Sequence, residues 1–212
     1  MTHFAGWKVI ALFRISLAAL AFGLAVTAPA AANPETQDPT KAPAGVYALD
    51  GRHATLLAKV PHMGGFSKFV MRFDRLEGGF TYDPANWGAT TINIVVDPAS
   101  VRTNLPDFDK TIAGPNYLNV AKYPTITFVS SKVEGVEGKG TVTGDLTFLG
   151  VTKPVVLDVI FNGAGPGLLG AGTRMGFSGT TKIKRSEFGL TTMSQMAGDD
   201  LDLMFEVEFV KK

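Results

Sequence analysis

At 212 residues, with 45% hydrophobic and 18% charged side chains, the chain has the composition of a globular protein and not of a disordered one. Setting aside Lys8 and Arg14, the only charges before residue 33, leaves eighteen basic against nineteen acidic residues, a net charge of −1 that lacks the electrostatic footprint of a nucleic-acid binder. The absence of cysteine rules out a disulfide framework, a thiolate metal site, a catalytic thiol and a lipid-modified cysteine anchor.

Residues 1–32 read as a secretory signal peptide: a basic stretch ending at Arg14, an uncharged apolar run from Ile15 to Val26, and small residues through Ala32 that suit cleavage. That run is shorter than the ~20 residues that span a bilayer, and Arg14 interrupts any longer one, so an uncleaved anchor fits less well. Residues 33–44 carry three prolines among polar side chains and predict a flexible, solvated leader with nothing to bury; the folded domain is expected over 45–212.

From there the dominant signal is alternation with period two, which turns successive side chains to opposite faces of a strand. Ala54, Leu56, Ala58 and Val60 form the first apolar row, and Val70 to Tyr82 predicts a strand pair turning at Gly78-Gly79. Ile92, Ile94 and Val96 follow. Leu105 to Val120 breaks the pattern: Pro106 can open a helix, Leu105, Phe108 and Ile112 fall at helical spacing, and Gly114-Pro115 stops it. Strands resume at Ile126 and Phe128, at Val142, Leu146 and Phe148, at Val155 to Phe161, at Met175 to Ile183, and at Leu201 to Phe209. Gly163 to Gly172 reads as a flexible connection, because no helix follows to place its N-terminus on a phosphate.

Some eight or nine strands with one apolar and one polar face predict an all-β fold, a lipocalin-like antiparallel β-barrel of about eight strands with a short helical insertion, whose interior is either filled by side chains or holds one small ligand. An outer-membrane barrel would show the same periodicity, but the Lys211-Lys212 terminus, the helical insertion and the single tryptophan after the leader, Trp87, argue against it.

Candidate chemistry is sparse. His53 and His62 are the only histidines of the domain, nine residues apart, with Asp50 the nearest carboxylate; Pro61 is expected to break the strand between them, and no cysteine is present to complete a metal site. No G-x-S-x-G elbow occurs, the nearest approach being Gly176-Phe177-Ser178-Gly179. Apolar bulk stands out instead, including Met175, Met193, Met196 and Met204 near the last strands, flexible side chains that suit lipid-like shapes.

Several motifs, taken together, resemble one known family. Tyr47-Ala48-Leu49-Asp50 with His53, His62-Met63-Gly64-Gly65-Phe66-Ser67, Asp97-Pro98-Ala99-Ser100-Val101, Tyr123-Pro124-Thr125, Gly144-Asp145-Leu146-Thr147 with Gly150-Val151-Thr152-Lys153-Pro154, and Arg185-Ser186-Glu187-Phe188-Gly189 are similar in order and spacing to the YceI-like periplasmic proteins. The resemblance runs from Tyr47 to Phe209 and departs at Leu149, where the family often carries histidine. It implies a periplasmic barrel with a long apolar tunnel for polyisoprenoid, quinone-like or other long-chain lipid, and no catalytic activity, cofactor or metal. The alternatives are an enzyme of small hydrophobic substrates using His53 or His62 as general base, and a filled structural barrel.

On this reading Phe66, Phe73, Ile94, Phe128, Phe148 and Phe161 are the expected wall residues, and His53, His62 and Arg185 the candidates for a lipid head group. A strand-end salt bridge is the other role open to Arg185, and structural hydrogen bonds to the histidines. Residues 105–120 and Thr191 to Gly198 are the expected moving parts of the mouth. The partner is an isoprenoid or other long-chain lipid, with transient contact to a membrane or membrane protein and no nucleic acid; the oligomeric state is left open, a homodimer included.

Overall fold

The structure is a computed structural model and describes residues 34–167 and 170–212. The predicted signal peptide, residues 1–32, lies outside the described residues. Ten strands follow: β1 (Gly45–His62), β2 (Ser67–Phe73), β3 (Leu76–Tyr82), β4 (Ile92–Val96), β5 (Val101–Arg102), β6 (Ile126–Val136), β7 (Lys139–Phe148), β8 (Val151–Pro166), β9 (Thr173–Lys184) and β10 (Asp200–Lys211). One helix, α1 (Pro106–Ala113), interrupts them where the helical spacing predicted it, with Pro106 at its start and Gly114 at its end.

All pairings are antiparallel, and β1 pairs with β10, so the sheet closes on itself. The ring has eight staves because two are built in pieces. Strand β2 pairs with the second half of β1 (Leu56↔Phe73 to His62↔Ser67) and β3 with its first residues (Gly45↔Tyr82 to Ala48↔Gly79), so β2 and β3 run in line. Strands β5 and β4 sit beside them in the same way, Phe73 against Val101 and Leu76 against Val96. Fully buried Ser100 stitches the break: its hydroxyl accepts from the amides of Asp74 (3.1 Å) and Arg75 (3.0 Å) and donates to the carbonyl of Asp97 (2.6 Å). Backbone groups that the interrupted ladder leaves behind are thereby satisfied.

Four expectations need correction. The chain does not turn at Gly78-Gly79; it bends at Asp74-Arg75, and the two glycines lie inside β3, where a Cβ would come within 2.1 Å of the Asn93 carbonyl and 2.2 Å of the Tyr47 carbonyl. Close strand packing, not a hairpin, explains them. Pro61 does not break β1, which continues to His62. The Gly163 run is not all connection: β8 reaches Pro166, and the amide of Thr36 donates to the carbonyl of Ala164 (3.1 Å).

Residues 34–44 are therefore not a solvated leader. Pro39–Lys41 forms one 3-10 turn capped by Asp38, Ala42 is buried, and the hydroxyls of Tyr82 and Tyr47 donate to the carbonyls of Pro39 and Pro43. Composition hid this because the strap is held by backbone carbonyls, which any sequence supplies. It crosses the barrel end at which β1 starts, here the strap end. The segment containing α1 and the β9–β10 loop lie at the other, the helix end.

Candidate functional site

Inward rows of every stave surround a continuous cavity of about 1230 Å3. This exceeds the ~300–1,000 Å3 usual for small-ligand pockets. The middle is apolar but for Thr181, whose hydroxyl donates to the Val156 carbonyl (2.7 Å), and is formed by Leu56, Ile94, Leu157, Val159, Leu203 and Phe205, with Phe128 and Phe148 beside them. The barrel is thus not filled by its own side chains.

The two ends differ in chemistry. At the strap end an aromatic cluster narrows the barrel: Phe80 stacks on Tyr47 (5.3 Å between centroids) and meets Phe209 edge-on (4.8 Å), while Phe161 packs on Phe177 (5.4 Å). Such pairs add roughly 0.5–1.5 kcal/mol each beyond area burial. Burial raises the pKa of both Tyr47 and Tyr82 above the ordinary tyrosine value, so their hydroxyls stay protonated as donors to the strap. Outside this cluster the lining turns polar, with Gln37, Asp38, Glu134, Glu137 and Lys139.

At the helix end α1 contributes Phe108 and Ile112, the segment after it Tyr117 and Leu118, and the β9–β10 loop Thr192, Met193, Met196 and Ala197. The loop and the helical segment are latched together: the Tyr117 hydroxyl donates to the Met193 sulfur and the Thr192 hydroxyl to the Asn116 carbonyl. Thr103 orients the approach to α1 through its hydroxyl and amide, both bonded to Asp109 (2.7 Å each); these bonds hold the Asp109 carboxyl below its ordinary pKa.

Arg185 holds the β9–β10 loop and is only 6% exposed. Its guanidinium donates to four loop carbonyls, those of Gly198 (2.8 Å), Leu190 (2.9 Å), Thr192 (2.7 Å) and Ala197 (2.9 Å). It touches the cavity wall, but its bonds make it a structural hub. Among the described residues it forms no salt bridge: its partners are backbone carbonyls, which a sequence cannot announce.

His53 also needs correction. Residues 50–53 bulge outward from β1 opposite Glu208 of β10, between the pairs Leu49↔Phe209 and Ala54↔Val207, and His53 does not line the cavity. Its Nδ1 lies 2.9 Å from Asp50, which also accepts from Arg52 (3.2 Å) and Arg174 (2.9 Å). Hydrogen bonds from Arg52 first, then His53 and Arg174, hold the Asp50 carboxyl well below the usual carboxylate range. His62, by contrast, ends β1 at the helix end, is exposed, and lines the cavity. The two imidazoles lie on opposite faces and share no site.

Among the expected wall residues, Phe73, Ile94, Phe128, Phe148 and Phe161 line the cavity. Phe66 does not: it is 92% exposed, at the end of the β1–β2 turn. Of the four methionines, Met193 and Met196 reach the cavity, Met175 is buried behind the aromatic cluster, and Met204 alternates to the outer face of β10 between lining residues Leu203 and Phe205. Leu149 forms a two-residue turn with Gly150 (φ 51° and 76°) and packs on the core, so no polar side chain is offered there. Sequence reasoning passed over Leu56, Tyr117, Leu157, Leu203 and Phe205; all but Tyr117 belong to rows it had found, but period two does not say which members face a void.

A YceI-like domain matches residues 47–209, most of the chain and all ten strands but the outermost residues of β1 and β10. The chain belongs to the YceI-like family. A UPF0312 protein of Vibrio cholerae is 39% identical over 177 residues, which cover 82% of this YceI-like chain and 92% of the relative. A UPF0312 protein of Ectopseudomonas mendocina is 38% identical over 175 residues, 81% of this chain and 91% of its own. In three dimensions the chain is similar to the Campylobacter jejuni YceI protein, with a TM-score of 0.63 and 33% identity over 69% of this chain and 87% of that one. It shares its fold with a polyisoprenoid binding domain from Saccharophagus degradans, with a TM-score of 0.60 and 16% identity over 78% of this chain and 98% of that one.

Proposed function

We propose that the protein is an exported, periplasmic binding protein that sequesters or carries a polyisoprenoid, quinone-like or other long-chain lipid inside its barrel. The observation that carries this reading is the cavity, continuous, apolar in its middle and too large for a small metabolite. Apolar cavities stay dry and accept apolar guests, and each buried CH₂ contributes about 0.8 kcal/mol, so ten buried carbons suffice without a strong head-group contact. The tail occupies the middle of the barrel and the polar head stands at His62. The description of the Saccharophagus degradans neighbour agrees with a prenyl guest. Binding is read as partition, and His53, tied to Asp50 outside the barrel, is removed as a general base for anything inside.

Native mass spectrometry of the protein from its source compartment, followed by organic extraction, tests this. A stoichiometric prenyl or fatty species released on denaturation is the expected result. A protein that arrives empty and also refuses added quinone and prenyl lipids overturns the reading.

A further inference from the structure

At the helix end the apolar lining does not stop at the mouth. Leu105, Met193 and Met196 line the cavity and are also exposed to solvent. Met63 and Phe66, exposed and outside the cavity, extend the same surface: the Met63 amide donates to the Met196 carbonyl (2.6 Å), and Ala197 bridges to His62. The β1–β2 turn, with positive φ at Met63 (46°), Gly64 (71°) and Gly65 (99°), stands clear of the body: a Cβ on either glycine would meet nothing within 4 Å. Phe66 follows, the most exposed large apolar side chain among the described residues.

The charge pattern says what this rim fits. Residues 63–66 and 189–198 contain no charged side chain in a chain that is 18% charged, and the exposed charges that follow Leu105 on α1, Asp107 and Lys110, pair with each other (3.3 Å). A protein partner is ordinarily met by a polar, charged rim around an apolar centre. Here the apolar, uncharged part is the rim itself, and it runs without a break into the cavity. We propose that this rim, Met63, Phe66, Leu105, Met193 and Met196, is a docking surface for the lipid bilayer, inserting Phe66 and the methionines among the acyl chains so that a lipid passes from membrane to cavity without crossing water. The proposal rests on the lipid-binding reading above and adds the place of loading. Attachment is shallow and uncharged, so it is reversible and insensitive to salt.

The test uses the full chain with phosphatidylcholine vesicles. In Phe66→Trp, the emission added over the parent chain shifts to the blue on mixing, is quenched by lipids brominated on their tails, and does so equally at low and high salt. Phe66→Ser slows transfer of a fluorescent prenyl lipid from vesicles to protein about tenfold, the low end of what burying a phenylalanine is worth. It leaves uptake of the same lipid from solution unchanged, because Phe66 is not in the cavity wall. An introduced indole that stays in water, or transfer at the parental rate in Phe66→Ser, overturns the proposal and leaves a protein as the occupant of the rim. Failure of the parent to take up lipid from solution strikes the cavity reading instead, and is scored separately from the indole signal.

Discussion

Arg185 concentrates more of the helix end's order in one side chain than any other residue there. Its four carbonyl partners span Leu190 to Gly198, so removing the guanidinium leaves all four without this donor in a partly buried place. Arg185→Met should cost about 3 kcal/mol or more, since hydrogen bonds to charged groups are worth about 1.5–3 kcal/mol each and not all are lost independently. Calorimetry checks this, and a loss under about 1 kcal/mol would show the loop held by other contacts. Asp50 plays the corresponding part on the outer face, where its side chain is 8% exposed at the bulge of β1. Its pKa is lowered in the folded state, so its contribution is complete above the unfolded value of about 3.9 and fades as the pH falls toward the folded one. Asp50→Asn should therefore melt below the parent at pH 7, with the difference narrowing below about pH 4. A difference constant from pH 7 to pH 3 refutes the argument. Neither role was legible in the sequence: Arg185 was visible as part of a motif and Asp50 as a neighbour of His53, but a side chain's partners across the fold leave no mark in local spacing.

Among elements, the strands and the helix were legible because period two and period 3.6 are local properties. What period two could not give was whether two apolar runs pair with each other or run on in line, which is why Val70 to Tyr82 looked like a hairpin and proved to be one bent stave. It also could not distinguish a side chain packed against another from one facing empty space. The helical segment and the β9–β10 loop were expected to move, and the structure joins them through Tyr117 to Met193 and Thr192 to Asn116. If they gate the mouth, Tyr117→Phe and Thr192→Val should each speed lipid release about fivefold, the factor corresponding to about 1 kcal/mol for one neutral hydrogen bond. Stopped-flow release of a fluorescent lipid reads this; unchanged release in both variants would place the gate elsewhere.

For the whole molecule, capacity follows from the void. Filling it at mid-barrel with Leu157→Trp or Leu203→Trp adds bulk where no neighbour need yield, so stability should hold within about 1 kcal/mol while the longest acceptable chain shortens. Titration with prenyl alcohols of increasing length gives the answer, and an unaltered length limit would put the tail outside the barrel.

The closing seam carries a further meaning for how the protein comes into being. Strand β1, the first of the barrel, zips to β10, the last. No ring exists until the twelve residues of β10 are available, and until then both seam edges remain unpaired. A nascent chain thus cannot complete this fold before β10 has been made, and long-range closure of this kind is slow. Such a polypeptide stays threadable until its last strand has emerged, and one cut short before Asp200 is left with two sticky edges in place of a container.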